Sequence, residues 1–200
     1  MAARNPASDS PDSENTSDTT NTAHSAVNGS VSDYGSVYGA CAAVSEVRDW
    51  VQNTLGYSTV ASALDTDQGK HWLPIILTAR GPIYGEVIGL TDQGKYHQPI
   101  PLADAIKQPL FHLAYELVHY LNAPPAVYLM QIKLAKDNQG ELSLLAFDRL
   151  IPFPSAPAIA SVGVQEPDLF VCHSRCVQGQ SITDVIIRPS QSVLVNLAYG

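Results

Sequence analysis

The chain has 200 residues, 45% of them hydrophobic and only 15% charged, with a formal net charge of −8 and a pI near 5.0. That length suits a single domain, and the 11 Lys and Arg are scattered singly, which excludes the clustered basic surface that nucleic acid or an anionic membrane face requires. No stretch approaches the roughly 18–20 apolar residues that cross a bilayer, and the start lacks a secretory core. Three cysteines, two of them close together, do not make a disulfide framework, so the setting reads as reducing and cytoplasmic.

Residues 1–38 are rich in Ser, Thr, Asn, Asp, Ala and Gly and nearly devoid of branched aliphatics. Such a segment buries too little apolar area to offset its ordering entropy, and it reads as a disordered acidic tail: a solubilising segment, or alternatively a docking arm or phosphorylation target. Residues 39–200 read as one domain. Val44, Val47, Val51 and Leu55 recur at helical spacing, with Glu46, Arg48 and Asp49 between them and Gly56 as the stop. Four short strand-like runs follow, at 57–64, 71–79, 83–90 and 95–100, joined by turns rich in Asp, Gly and Pro. The Asp65–Asp67–Gly69 stretch is too short for a calcium loop and reads as one of these turns. Residues 102–107 predict a first helical turn or two, and Pro109 then opens the main helix, which runs to Asn122 with Leu110, Leu113, Leu117 and Leu121 on one face. Two longer strand-like runs, 126–135 and 141–151, flank the hairpin signal Lys136–Gly140. A proline-rich loop leads to a helical turn at 156–162, and the β-prone pieces 168–172, 181–187 and 192–197 belong to an irregular extension over 165–200.

Hairpins segregated from helices predict an α+β fold: an antiparallel meander sheet packed by two helices, in the order helix, three or four strands, helix, hairpin, short helix. The helices cover one sheet face. The other is solvated, covered by the C-terminal segment, or buried in a partner.

This order of elements, with Asn122, the strand 126–135, the turn Asp137–Gly140 and the run Leu150–Ile151–Pro152, resembles the type III secretion chaperone-like fold. That resemblance implies a small, acidic, dimeric protein without catalysis that holds a partner chain. The strand at 95–100 and about 35 C-terminal residues have no counterpart in it, and it transfers no functional residue. The helix, strand, Asp/Gly turn, strand and proline-rich loop also resemble the end of ATP-grasp ligases. Those enzymes put a Glu-x-Asn metal pair on the last strand; this strand reads LLAFDRLIPFP, so only Asp148 remains as a ligand.

Among chemistry-bearing groups, His112, Glu116 and His119 fall at i, i+4 and i+7 on the main helix. They read either as a divalent-metal set or as the polar outer face of an amphipathic helix. Cys172 and Cys176, around His173, read as same-face apolar side chains, or as a redox pair or metal site. Sparse charge on the strands and a high Tyr content make Tyr84, Tyr96 and Trp72 candidate partner contacts. No phosphate-loop, dinucleotide, nucleophile-elbow or zincin motif occurs. The reading is a non-enzymatic, chaperone-like accessory protein acting in a complex or as a homodimer, without a cofactor. The alternatives are a metal- or redox-dependent protein and a degenerate ATP-grasp-like fragment.

Overall fold

The computed structural model describes residues 31–61, 68–136 and 142–188. Helices α1 (Val31–Ala42) and α2 (Val44–Leu55) precede strands β1 (His71–Thr78), β2 (Gly81–Tyr84), β3 (Val87–Leu90) and β4 (Tyr96–Ile100). Then come α3 (Asp104–Tyr120), the hairpin β5 (Ala126–Lys136) and β6 (Leu142–Ile151), a 3₁₀ turn (Ala156–Ser161), β7 (Gln165–Glu166), α4 (Leu169–Val177) and β8 (Ile186–Ile187). The fold is α+β on an antiparallel sheet. The sheet order is β4-β3-β1-β5-β6, with β2 beside β3 on the same edge of β1.

β1 is the central strand, buried from Trp72 through Leu77. An unbroken apolar run is the signature of a strand covered on both faces. Leu73, Ile75 and Leu77 join Tyr128, Met130, Ile132 and Phe147 in a first core, beneath Val47 and Val51 of α2 and Leu110, Leu113, Leu117 and Val118 of α3. Trp72, Ile76, Ile88, Val127 and Leu129 form a second core, beneath Ala158 and Ala160 of the 3₁₀ turn and Leu169, Cys172 and Cys176 of α4. Of the three covers that the sequence leaves open for the second face, the C-terminal segment is the one found.

Proline is rare in central strands because it has no N–H for the ladder. Pro74 is accommodated because its neighbour breaks there. β2 pairs up to Ile75↔Tyr84, β3 resumes at Trp72↔Ile88, and between them Gly85 N–H donates to the Pro74 carbonyl at 2.9 Å. The single strand expected over 83–90 is therefore two short ones.

Other boundaries also move. The helix expected from Gly39 begins at Val31, within the span read as tail, and breaks at Ala43; Val37 and Cys41, four apart, are buried in the first core. Gly56 caps α2 in the left-handed conformation (φ 74°), as its position predicts. Pro109 lies inside α3 rather than opening it, because loss of one early helical bond is outweighed by the buried leucine stripe. The strand expected at 57–64 is, among the described residues, one parallel bridge of Thr59 with Phe147 on the edge of β6; residues 62–67 lie outside them, as do 1–30 and the terminal piece 192–197. The largest correction is 168–172. Leu-Phe-Val-Cys has strand propensity, yet Leu169, Cys172 and Cys176 fall at helical spacing and are buried together, and Asp168 caps the helix by accepting from the N–H groups of Phe170 and Val171 at 2.9 Å each.

A cover that seals the second face gives its residues core energetics. Leu169→Ala is expected to lower unfolding free energy by about 2–5 kcal/mol in urea titration. A loss near that of a surface change, about 0.5 kcal/mol, would show that α4 does not seal the sheet.

Candidate functional site

A buried polar constellation lies where α2 meets β6. Arg48 follows Val47 on the buried side of α2 and is only 5% exposed. Its guanidinium donates through Nη2 to Asp148 Oδ1 at 2.5 Å and through Nε to the Asp148 carbonyl at 2.7 Å. Asp148 is fully buried. It reaches α2 because the β5–β6 ladder bulges there: Ile132 pairs with Phe147 and Gln131 with Arg149, leaving Asp148 as the extra residue. The bulge re-aims this one carboxylate, and its remaining acceptors are also used. Gly69 N–H donates to Oδ2 at 3.0 Å, and Arg149 Nε lies 3.1 Å from Oδ1.

Gly69 is bound on both sides, since its carbonyl accepts from Gln131 Nε2 at 2.7 Å. A Cβ at Gly69 would overlap the Ile132 carbonyl, so only glycine lets the chain pass close enough to donate to Asp148. The knot thus ties α2, the approach to β1, β5 and β6 together. The sequence flagged Asp148 but placed Arg48 among the polar residues of its helix, read Gly69 only as part of a turn, and did not single out Gln131. The readable signal was a charged Asp-Arg pair inside a strand that is otherwise apolar but for Ser143.

The other predicted residues separate. His112 and Glu116 lie on the outside of α3 with Nε2 and Oε1 3.8 Å apart, and His112 Nδ1 lies 3.4 Å from the Tyr57 hydroxyl. His119 is exposed, stacks on Tyr115 at 4.0 Å and turns Nδ1 to the Tyr115 carbonyl at 2.8 Å. Among the described residues no group of three or more His, Cys, Asp and Glu could hold a metal ion. Cys172 and Cys176 are not on a strand but on α4, where i, i+4 spacing also puts them on one face; both are free and buried in the second core. Burial pushes their thiols up, to about 12 and about 11. Cys41 is in the first core, on the other side of the sheet. His173 fastens α4 to β5, its Nδ1 accepting from Val127 N–H at 3.2 Å, and burial lowers its pKa. Tyr84 stacks on Phe111 at 4.4 Å beside the first core, whereas Trp72, 5% exposed, meets Tyr96 edge-on at 5.4 Å in the second, so the three share no surface. No helix among the described residues is long and apolar enough to cross a membrane.

No family model matches this chain, and no curated protein does. Solved structures share its fold. Glycinamide-RNase-transformylase T from Mycobacterium tuberculosis superposes with a TM-score of 0.54 at 17% identity, covering 74% of this chain and 51% of that one. N5-carboxyaminoimidazole synthetase from Staphylococcus aureus complexed with ADP gives 0.48 at 11% identity, over 63% and 34% of the two chains. The N5-carboxyaminoimidazole ribonucleotide synthetase from Thermotoga maritima gives 0.45 at 11%, over 60% and 31%. The first likeness establishes the fold and not an activity, and the other two are weaker still. This chain spans about half the length of the transformylase it matches.

The likeness to the transformylase fold overturns the type III secretion chaperone-like reading, and the chaperone and accessory-factor reading falls with it. The physical reason lies in the two parts that had no counterpart in that fold: β4 completes one sheet edge, and the C-terminal segment seals the second face. Of the two resemblances, the ATP-grasp-like one is the better supported.

Removing one partner of a buried ion pair strands the other charge. Arg48→Met is expected to cost about 3–5 kcal/mol in chemical denaturation; a loss below about 1 kcal/mol would show that water or Arg149 replaces it. The raised thiols predict an alkaline effect. Below pH 9.0, the ordinary thiol value, folded and unfolded chains hold the same cysteine protons; above it the unfolded chain loses them first, so stability falls toward pH 11. In paired melting series Cys176→Ala should show a shallower decline than the wild type, and equal declines would remove the thiol contribution.

Proposed function

We propose that this chain is a degenerate ATP-grasp-like module, one that takes up a nucleotide without metal-dependent phosphoryl chemistry on β6. The fold likeness supports the module, and the ATP-grasp-type character of its neighbours favours a nucleotide as the ligand class. The observation that carries the degeneracy is the state of Asp148.

The ATP-grasp resemblance calls for a Glu-x-Asn pair on this strand, and Asp148 is the one acidic residue left on it. A divalent cation needs carboxylate oxygens with free lone pairs and an open path. Asp148 has no exposed surface, both its oxygens already accept hydrogen bonds, and two guanidinium groups occupy the space beside it. A metal would have to displace Arg48 and Gly69 and then sit against positive charge. These residues do not fit a metal. What they do is structural: a cation from the protein itself holds the carboxylate.

Thermal unfolding of the full chain with ADP or ATP, with and without Mg²⁺, tests this. The expected result is stabilisation by nucleotide that is equal in both conditions, reaching about 2.7 kcal/mol at a ligand concentration 100 times the dissociation constant, with no release of phosphate. Absence of any shift removes the nucleotide reading. A shift that needs Mg²⁺, or hydrolysis, would show that metal chemistry survives elsewhere in the chain.

A further inference from the structure

The β5–β6 ladder begins at Leu129↔Ile151, so Val127, two residues earlier, lies beyond the end of β6. There the Val127 N–H donates to His173 Nδ1 at 3.2 Å. An imidazole lone pair on α4 stands where the carbonyl of a longer β6 would stand. A neutral imidazole has one N–H and one lone pair, so this bond puts the ring proton on Nε2. Protonation of Nδ1 turns the acceptor into a second donor, and two N–H groups then face each other in half-buried surroundings. The bond exists only while the ring is neutral, and histidine is the side chain whose ordinary titration falls nearest physiological pH.

α4 packs on β5, β1 and the 3₁₀ turn. The turn carries no titratable side chain, and neither do residues 152–155 before it. On β5, Tyr128 donates its hydroxyl to the Pro124 carbonyl at 2.7 Å, and Lys133 and Lys136 lie further along the strand. On β1 the titratable residue is His71, at the other end of the strand from Ile76, which pairs with Val127. Arg80 is exposed on the β1–β2 turn. On α4 itself are Arg175 and the thiols of Cys172 and Cys176, held neutral by their raised pKa values. The described acids nearest in sequence are otherwise engaged: Glu166 with Arg188, Asp168 with the N–H groups of Phe170 and Val171, and Asp184 with Val185 N–H. Burial then sets the direction, holding the His173 pKa below its ordinary 6.5. Above pH 6.5 the ring is neutral whether α4 is docked or detached. Below it, a detached ring takes up a proton that the docked ring refuses, so detachment becomes up to about tenfold more favourable per pH unit until the docked ring titrates as well.

We propose that His173 is a proton-operated latch: mild acid removes its bond to Val127, α4 lifts from β5, and the second face of the sheet opens. Trp72, Ile76, Val127 and Leu129 form that face, and Cys172 and Cys176 of α4 are buried against it. The first core has its own covers, α2 and α3, and stays closed. The latch rests on this bond and not on the nucleotide reading.

Labelling of the thiols in the full-length protein with dithiodipyridine, a reagent that reacts in acid as well as at neutral pH, tests it. Rates at about pH 7.5 and about pH 5.5 are divided by those of glutathione at the same pH, and mass spectrometry assigns the labelled cysteine. Cys172 and Cys176 are expected to react about tenfold faster in acid, with Cys41, buried in the first core, unchanged. His173→Asn keeps a side-chain acceptor near the Nδ1 position and cannot titrate, so its two rates should be equal. His173→Leu removes the acceptor, and its labelling should be fast at both pH values. Equal wild-type rates overturn the latch. So does an acceleration that His173→Asn retains, or one that Cys41 shares, which is unfolding of the whole chain. Should His173→Leu fail to fold, His173→Asn alone decides. No nucleotide enters the experiment, so this inference and the nucleotide reading fail separately.

Discussion

β1 is apolar at every position from Trp72 to Leu77, and a strand sends successive side chains to opposite faces, so neither face of the sheet can be left to water. The rest of the architecture answers this requirement. Helices α1 to α3 cover one side, and the 3₁₀ turn with α4 covers the other. The same requirement explains why so few charges appear on the strands: the sheet is an internal layer. A low charge density that reads as an interface in the sequence is met within the chain.

Where this apolar layer ends, at the β6 edge, lies the one deeply buried carboxylate among the described residues, Asp148. A bulge turns Asp148 toward α2, and three donors from three separate segments converge on it. Buried ion pairs are often no more stabilising than apolar packing of the same volume, but they are specific, because every member must be present and in register. Here that specificity fixes the close passage of Gly69 over β5, which is closed to any residue with a Cβ. The arrangement also decides the chemistry. A carboxylate that is fully engaged with guanidinium groups is a structural anion, not a metal ligand.

Much of this was legible beforehand. The helix over 44–55 with its Gly56 cap, the leucine face of α3, the β5–β6 hairpin and the 3₁₀ turn at 156–161 all follow from local periodicity and turn chemistry. Other features were not, each for an identifiable reason. Residues 168–172 carry strand formers, and their helical form depends on a sheet face that buries one in every three or four of them. The break at Gly85–Glu86 depends on Pro74, a residue eleven positions before Gly85 in sequence but adjacent in the sheet. Arg48 looked like solvent-facing charge because its partner lies 100 residues further along the chain.

The sequence by itself determined the α+β class, the antiparallel hairpins, most helical segments, and the lack of the common catalytic motifs. These are properties of short windows, set by side-chain period, by proline and by glycine. Only the tertiary structure decided what covers the second face of the sheet, that the cysteine pair is buried in a core, and that Asp148 is locked by Arg48. Those outcomes depend on contacts between segments far apart in the chain. Burial then changes what each group can do, because a charge or donor that is harmless in water must find a partner once water is removed.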